Sequence, residues 1–285
     1  MPGLVGMAVS MQGSSMRVLV LGSGGQLGSE LCRVMEEHDL IPTKHSEVDV
    51  SRLPSLVEFS KQVRPEVVIN ATGYTDVDGC EANRERAFLV NAIGARNAAI
   101  AAREAGAELI HISTDYVFDG RKEEPYVECD MAMPLSNYGW SKLMGERMAM
   151  EQNPRTFILR IAWLYSLAGR NFVKTILALA RDRDELCIVN DQRGTPTFAG
   201  DVAMQIKLLM GTESYGLYHC TSQGSCTWCD FAREILRLAK IPVRVKPVTS
   251  AEYPRPARRP AYSVLDNLML RVQGLDIMPP WQDSL

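Results

Sequence analysis

Tyr138 and Lys142 stand four residues apart in Tyr138-Gly-Trp-Ser-Lys142, within a stretch of helical periodicity, so both side chains leave the same helix face. A phenol titrates near 10 and is a weak acid or base at neutral pH. A cation about 4 Å away, at an effective dielectric near 20, favours the phenolate by roughly 4 kcal/mol, or about three pKa units. The spacing therefore predicts a proton donor or acceptor for a carbonyl or alcohol oxygen. Alone, such a pair is common on exposed helices. It gains weight from Ser113-Thr114-Asp115, which follows the apolar run Glu108-Leu-Ile-His-Ile112 at the carboxyl end of a predicted strand, where open α/β sheets bind ligands. The Thr114 hydroxyl reads either as a holder of the substrate oxygen or as a turn cap.

A second group stands near the start. The apolar run Val18–Leu21 leads into glycines at 22, 25 and 28, with Gln26 and Leu27 between them, and then into a helical pattern. Strand, glycine turn and helix in that order form a phosphate cradle: the turn is tight, the backbone approaches a pyrophosphate without Cβ interference, and the helix N-terminus points N–H groups at the anion. An acidic side chain for the ribose 2′-hydroxyl is expected about 20 residues further on. The chain offers Pro42-Thr-Lys44-His45 instead. Lys44 reads as a partner for a 2′-phosphate, which favours NADPH over NADH, or as a solvated loop charge. Asp49 and Val50 are expected to wall the adenine.

These groups need elements to hold them. Buried strands are predicted over Val18–Leu21, Val67–Ile69, Leu109–Ile112 and Phe157–Ile161, and helices over 26–37, 55–63, 84–105, 136–152 and 171–181. That alternation predicts an α/β, Rossmann-type doubly wound parallel sheet. After Val189 the texture changes to Asp191-Gln-Arg-Gly-Thr-Pro196 and then to Pro- and Arg-rich stretches, which predicts a smaller C-terminal substrate-binding lobe. The expected division is an extension over 1–15, a dinucleotide-binding domain over 16–189 and the lobe over 190–285, with the chain free to cross between the last two.

Bulk properties narrow the partners. At 285 residues and 46% hydrophobic content the chain can bury a large core, and its net charge of −3 lacks the basic excess of a nucleic-acid binder. No run approaches the roughly 20 apolar residues that cross a bilayer, and the first residues lack a basic secretory n-region, so a soluble cytoplasmic protein is expected. Seven irregularly spaced cysteines do not form a disulfide framework and suit a reducing compartment. Cys226-x-x-Cys229 beside His219 and Cys220 invites a metal or redox reading, but no second pair completes a ligand set. The alternative has Thr227 capping a helix that starts at Trp228, with the cysteines as packing residues.

The motifs together resemble the extended short-chain dehydrogenase/reductases, and within them the dTDP-4-dehydrorhamnose reductase family, from Met16 to the C-terminus. The resemblance is carried by Val68-Ile-Asn-Ala-Thr-Gly-Tyr-Thr75-Asp-Val-Asp78-Gly-Cys-Glu81, Ser113-Thr-Asp-Tyr-Val-Phe-Asp119-Gly, Leu159-Arg-Ile-Ala-Trp163-Leu-Tyr165, Asp191-Gln-Arg-Gly-Thr-Pro-Thr197 and Arg259-Pro-Ala-Tyr-Ser263. It implies that Thr114, Tyr138 and Lys142 form the catalytic set, that Gly25, Gln26 and Leu27 face the cofactor phosphates, and that Ala71, Thr72 and Gly73 run along the dinucleotide. It places Thr75, Asp115 and Trp163 against the deoxysugar or its nucleotide, with Arg259 and Ser263 reaching the substrate from the C-terminal lobe. The implied reaction is reduction of the C4 ketone of dTDP-4-dehydro-β-L-rhamnose by NADPH or NADH, in a monomer or homodimer. Some members of the family are magnesium-dependent, and no acids can be assigned to such a site in this chain. Alternatives are a reductase or epimerase for another nucleotide-6-deoxyhexose, and a dinucleotide-binding regulatory subunit without turnover.

Overall fold

The structure is a computed structural model that describes residues 15–285; residues 1–14 of the expected extension lie outside the described residues. The strands are β1 (Arg17–Leu21), β2 (Asp39–Thr43), β3 (Val67–Asn70), β4 (Glu108–Thr114), β5 (Thr156–Ile161), β6 (Leu164–Tyr165), β7 (Glu185–Val189), β8 (Arg193–Gly194), β9 (Thr197–Phe198), β10 (Gly216–His219), β11 (Cys226–Thr227) and β12 (Arg244–Val248). The helices are α1 (Gln26–Val34), α2 (Leu53–Val63), α3 (Val77–Ala82), α4 (Arg84–Phe88), α5 (Gly94–Glu104), α6 (Asn137–Gln152), α7 (Phe172–Leu179), α8 (Ala199–Leu209), α9 (Trp228–Ala239) and α10 (Leu268–Val272).

A six-stranded sheet in the order β10-β5-β4-β3-β1-β2, parallel throughout, forms the centre of the molecule. All seven residues of β4 are buried, as expected of a strand covered on both faces. One face packs Val18, Ile110, Phe157 and Leu159 against α1 and α8, and the other packs Leu19, Val68 and Leu109 against the alanine-rich α5 and Leu56 of α2. The strand order reverses between β1 and β3. The glycine turn leaves the carboxyl end of the first, and Ala71-Thr-Gly73 leaves the second, so both border the crevice where such a sheet binds its ligand.

The helix expected over 84–105 is interrupted. Residues Leu89–Ile93 form a π-helical turn between α4 and α5. Its Asn91 accepts a hydrogen bond from the Tyr74 amide at 2.8 Å and donates to the Tyr74 carbonyl at 3.1 Å and to Ser141 Oγ at 2.9 Å. The bulge thereby ties the loop after β3 to α6, and π-turns recur at functional sites.

The second lobe is built from the pairs β6–β9, β7–β12 and β8–β11, with α7 and α9 around Tyr165, Ile176, Leu186, Phe231, Ile235 and Trp281. It is not divided from the sheet at one point near 189. The lobe draws β6, α7 and β7 from before that residue, while α8, β10 and α10 from after it belong to the sheet layer: β10 is hydrogen-bonded to β5, and Leu270 of α10 joins the central core. Thr227 caps α9 by a reciprocal box with Asp230, the arrangement expected of the non-metal alternative. Cys226 and Cys229 are free and buried, and burial raises both thiols above their ordinary value.

Candidate active site

A cleft of about 580 Å³ opens at the carboxyl ends of the central strands. Its wall brings together Gly25, Gln26, Leu27, Ala71, Thr72, Gly73, Thr75, Thr114, Asp115, Tyr138, Lys142 and Trp163, which join residues separated by up to 138 positions in the chain. Behind the wall, Gly22 and Gly28 make the turn. Gly22 has a φ of +85°, and a Cβ on Gly28 would lie 2.2 Å from the Gly22 carbonyl oxygen, so only glycine lets α1 approach the end of β1. The α1 N-terminus has no side-chain cap at Gly25 and no acidic residue in its first turn, which leaves its N–H groups open to an anion.

Helix α6 carries Tyr138 and Lys142. It starts where Ser136 accepts from the Gly139 amide, and the small residues Gly139 and Gly145 let it lie close to neighbouring backbone: a Cβ at 139 would meet the Tyr116 carbonyl oxygen at 2.2 Å, and one at 145 that of Asn91 at 2.3 Å. Tyr138 and Thr114 both face the cleft, and the Thr114 hydroxyl donates to Asp115 at 3.1 Å. Thr114 Oγ1 also accepts from the Tyr116 amide at 3.2 Å, the turn-capping arrangement. Lys142 is 4% exposed and donates to the Ile112 carbonyl at 2.5 Å.

The electrostatics depart from one expectation. Burial raises the Tyr138 phenol above its ordinary value, Asp115 and Cys80 add to the rise, and the Thr114 hydroxyl opposes it. Lys142 does not reverse this, because its ammonium is turned to the Ile112 carbonyl and is itself disfavoured: burial lowers it to about 8, with Glu146 one turn along the helix pushing the other way. Without a ligand, then, the lysine does not acidify the phenol. Asp115 is raised to about 7, first by burial, against hydrogen bonds from Ser263 and Thr114.

Several sequence-predicted residues lie away from the cleft wall. Arg259 donates both Nη atoms to Asp78 at 3.0 Å and does not line the cleft. Ser263 is buried, bonded to Asp115. Lys44 is exposed, and its stem passes beside Gly24 at the outer edge of the turn. Val50 is in the core, where its side chain faces Gly94, and Asp49 accepts from the Ser51 amide and hydroxyl; the adenine wall expected there is not a surface of this cleft.

Other groups went unread in the sequence. Trp228 stacks on Trp163 with centroids 3.4 Å apart and planes 5° from parallel, and Tyr116 meets the Tyr138 ring edge-on. A Cβ on Gly194 would lie 2.4 Å from Trp163, so that glycine makes room for the indole. Beneath the floor, Glu146 takes two hydrogen bonds from Arg160, at 2.7 and 2.9 Å, and one from Ser113 at 2.5 Å, both charged side chains being 4% exposed. The Trp228 signal lay in an aromatic at the first position of a capped helix. The Glu146–Arg160 pair, on a helix and the following strand, has no mark in sequence.

Comparison with known proteins settles the family. The family model described as the RmlD substrate binding domain matches residues 16–285. The chain belongs to this family. It is 39% identical to the dTDP-4-dehydrorhamnose reductase of Aggregatibacter actinomycetemcomitans, over 94% of this chain and 97% of that protein. It is also 39% identical to a Streptomyces antibioticus protein named "Probable dTDP-4,6-dihydroxy-2-methyloxan-3-one 4-ketoreductase", over 95% of this chain and 93% of that one. The crystal structure of dTDP-4-dehydrorhamnose reductase from Bacillus anthracis in complex with NADP superposes with a TM-score of 0.93 at 40% identity, covering 95% of this chain and 97% of the other. Among the described residues no group of three or more His, Cys, Asp or Glu side chains converges as a metal site, and no helix is long and apolar enough to cross a membrane.

Proposed function

We propose that this chain reduces the C4 ketone of dTDP-4-dehydro-β-L-rhamnose to dTDP-L-rhamnose with NADPH. The observation that carries the reading is the meeting of Thr114, Tyr138 and Lys142 with the glycine turn in one cleft at the switch point of the sheet, in a chain of this family. The cleft suits a dinucleotide: the α1 N-terminus is uncapped, and Gln26 Oε1 is buried there without a hydrogen-bond partner. When bound, the nicotinamide supplies the hydride.

The residues then do the rest. Thr114 and Tyr138 hold the C4 oxygen between two hydroxyls, and Tyr138 gives its proton as that oxygen becomes an alkoxide. A raised phenol suits this direction, because Tyr138 stays protonated through neutral pH and an alkoxide is far more basic than a phenolate. Lys142 fixes the ribose side and offers positive charge to the phenolate left behind. Asp115, held near neutrality, can donate to or accept from a sugar hydroxyl. Lys44 at the edge of the turn supports NADPH, through the 2′-phosphate. Arg259 would reach the substrate diphosphate only by sharing or leaving Asp78.

The equal identity to the two named relatives favours a second reading, a 4-ketoreductase for a different dTDP-deoxysugar. Steady-state NADPH oxidation against a panel of nucleotide 4-keto sugars, with NADH in parallel, separates them. The expected result is fastest turnover with dTDP-4-dehydrorhamnose. Turnover confined to another sugar moves the substrate, and dinucleotide binding with no oxidation of any kind makes the chain a non-catalytic binder.

A further inference from the structure

The loop from Ser166 to Asn171 contributes Gly169, Arg170 and Asn171 to the cleft lining. It is braced by its own polar groups. Asn171 Nδ2 donates to the Ser166 carbonyl at 2.7 Å, Ser166 Oγ accepts from the Ala168 amide at 3.0 Å, and Lys174 Nζ donates to the Gly169 carbonyl at 3.1 Å. The loop is also pressed onto the glycine turn: Gly169 sits at a φ of +66°, and a Cβ there would lie 3.1 Å from Cγ of Gln26. The next residue, Arg170, lines the same cleft as Gly25 and Gln26.

Two cations line this cleft, and they differ in what already holds them. Lys142 is buried and bonded to the Ile112 carbonyl. The Arg170 guanidinium makes no ion pair and no hydrogen bond among the described residues, and the α1 N-terminus that shares its cleft has no acidic side chain in the first turn. A pyrophosphate at that terminus carries two negative charges against about half a unit of positive charge from the helix dipole. A guanidinium in the same cleft supplies the remainder and can bond two phosphate oxygens at once.

We infer that Arg170 is a cofactor-binding residue, clamping the dinucleotide pyrophosphate together with the α1 N-terminus; this rests on the dinucleotide reading of the cleft given above. Because the pyrophosphate is common to both cofactors, Arg170→Ala should weaken NADPH and NADH by the same factor, about tenfold each. Arg170→Lys, which keeps the charge but not the two-pronged fork, should recover part of the loss for both.

The test is equilibrium binding of NADPH, NADH and dTDP to the wild type and the two variants, by tryptophan or nicotinamide fluorescence, with thermal melts to confirm that the variants are folded. Equal loss for NADPH and NADH with dTDP binding unchanged supports the clamp. Unchanged dinucleotide affinity overturns it. So does loss confined to NADPH, which would assign Arg170 to the 2′-phosphate, or loss confined to dTDP, which would assign it to the substrate diphosphate. Wild-type protein that binds neither dinucleotide would instead defeat the reading of the cleft itself.

Discussion

The Asp115 carboxyl is 2% exposed, and its Oδ2 has no hydrogen-bond partner, so ionisation there is opposed first by burial, against the hydroxyls of Ser263 and Thr114 and the backbone amides of Asp115 and Tyr116. Its folded value of about 7 lies above the ordinary 3.8, so the native state binds the extra proton in between, and the stability this contributes is full below about pH 4 and lost as pH rises through 7. Asp115→Asn removes the titration while keeping the shape. It should be more stable than the wild type at pH 8 by on the order of 2 kcal/mol and show no such gain at pH 4, as read from urea melts at the two pH values. A variant less stable at pH 8 would mean that the carboxylate is well solvated or paired.

Helix α6 sets the position of both Tyr138 and Lys142, and its own position is set by backbone contact at Gly145 and by Asn91. Gly145→Ala would drive a Cβ to 2.3 Å from the Asn91 carbonyl oxygen, and backbone cannot yield as a side-chain tip does. The variant should lose about 1 to 3 kcal/mol of stability and at least about tenfold in kcat while still binding dinucleotide, because the glycine turn lies on other elements. Melting and single-turnover measurements check this; an unchanged kcat would show that α6 tolerates displacement. The helix itself was legible, since Ser136 caps it and the Tyr–Lys spacing marks its face. So were β1, β3, β4 and β5, whose apolar runs read as buried strands. The π-turn was not, because Leu89–Ile93 keeps the helical periodicity of its flanks and the bulge is imposed by Asn91 bonding to Tyr74, a contact across 17 residues. Nor was the sign of the Tyr138 shift: a four-residue spacing gives nearness to a cation but not the depth of burial or the carbonyl toward which that cation turns.

At the scale of the molecule, the C-terminal segment is fastened to the dinucleotide side at Asp78. That carboxylate receives Arg259 twice at 3.0 Å and the Ala257 amide at 3.1 Å, with Arg255 at 3.8 Å. Against the burial that would raise it, these bonds and charges hold Asp78 below its ordinary value, so its contribution is present above about pH 4 and lost as pH falls through the folded value. Asp78→Ala should cost about 1 to 2 kcal/mol at pH 7 in thermal melts, discounted for partial exposure, and this penalty should shrink toward pH 3. An equal penalty at both values would point to lost packing instead. The change in texture after Val189 gave no sign of the return of Gly216–His219 to the sheet. Four residues beginning with glycine and ending in a buried histidine carry too little strand signal, and their place beside β5 is a long-range pairing.

The cleft is read throughout as a hydride-transfer site in which Tyr138 delivers the proton, and Tyr138→Phe tests that most directly. With NADPH and dTDP-4-dehydrorhamnose, the substitution is predicted to leave the dinucleotide Kd within about threefold while lowering kcat by at least about a hundredfold. An unchanged kcat with intact cofactor binding would contradict the account.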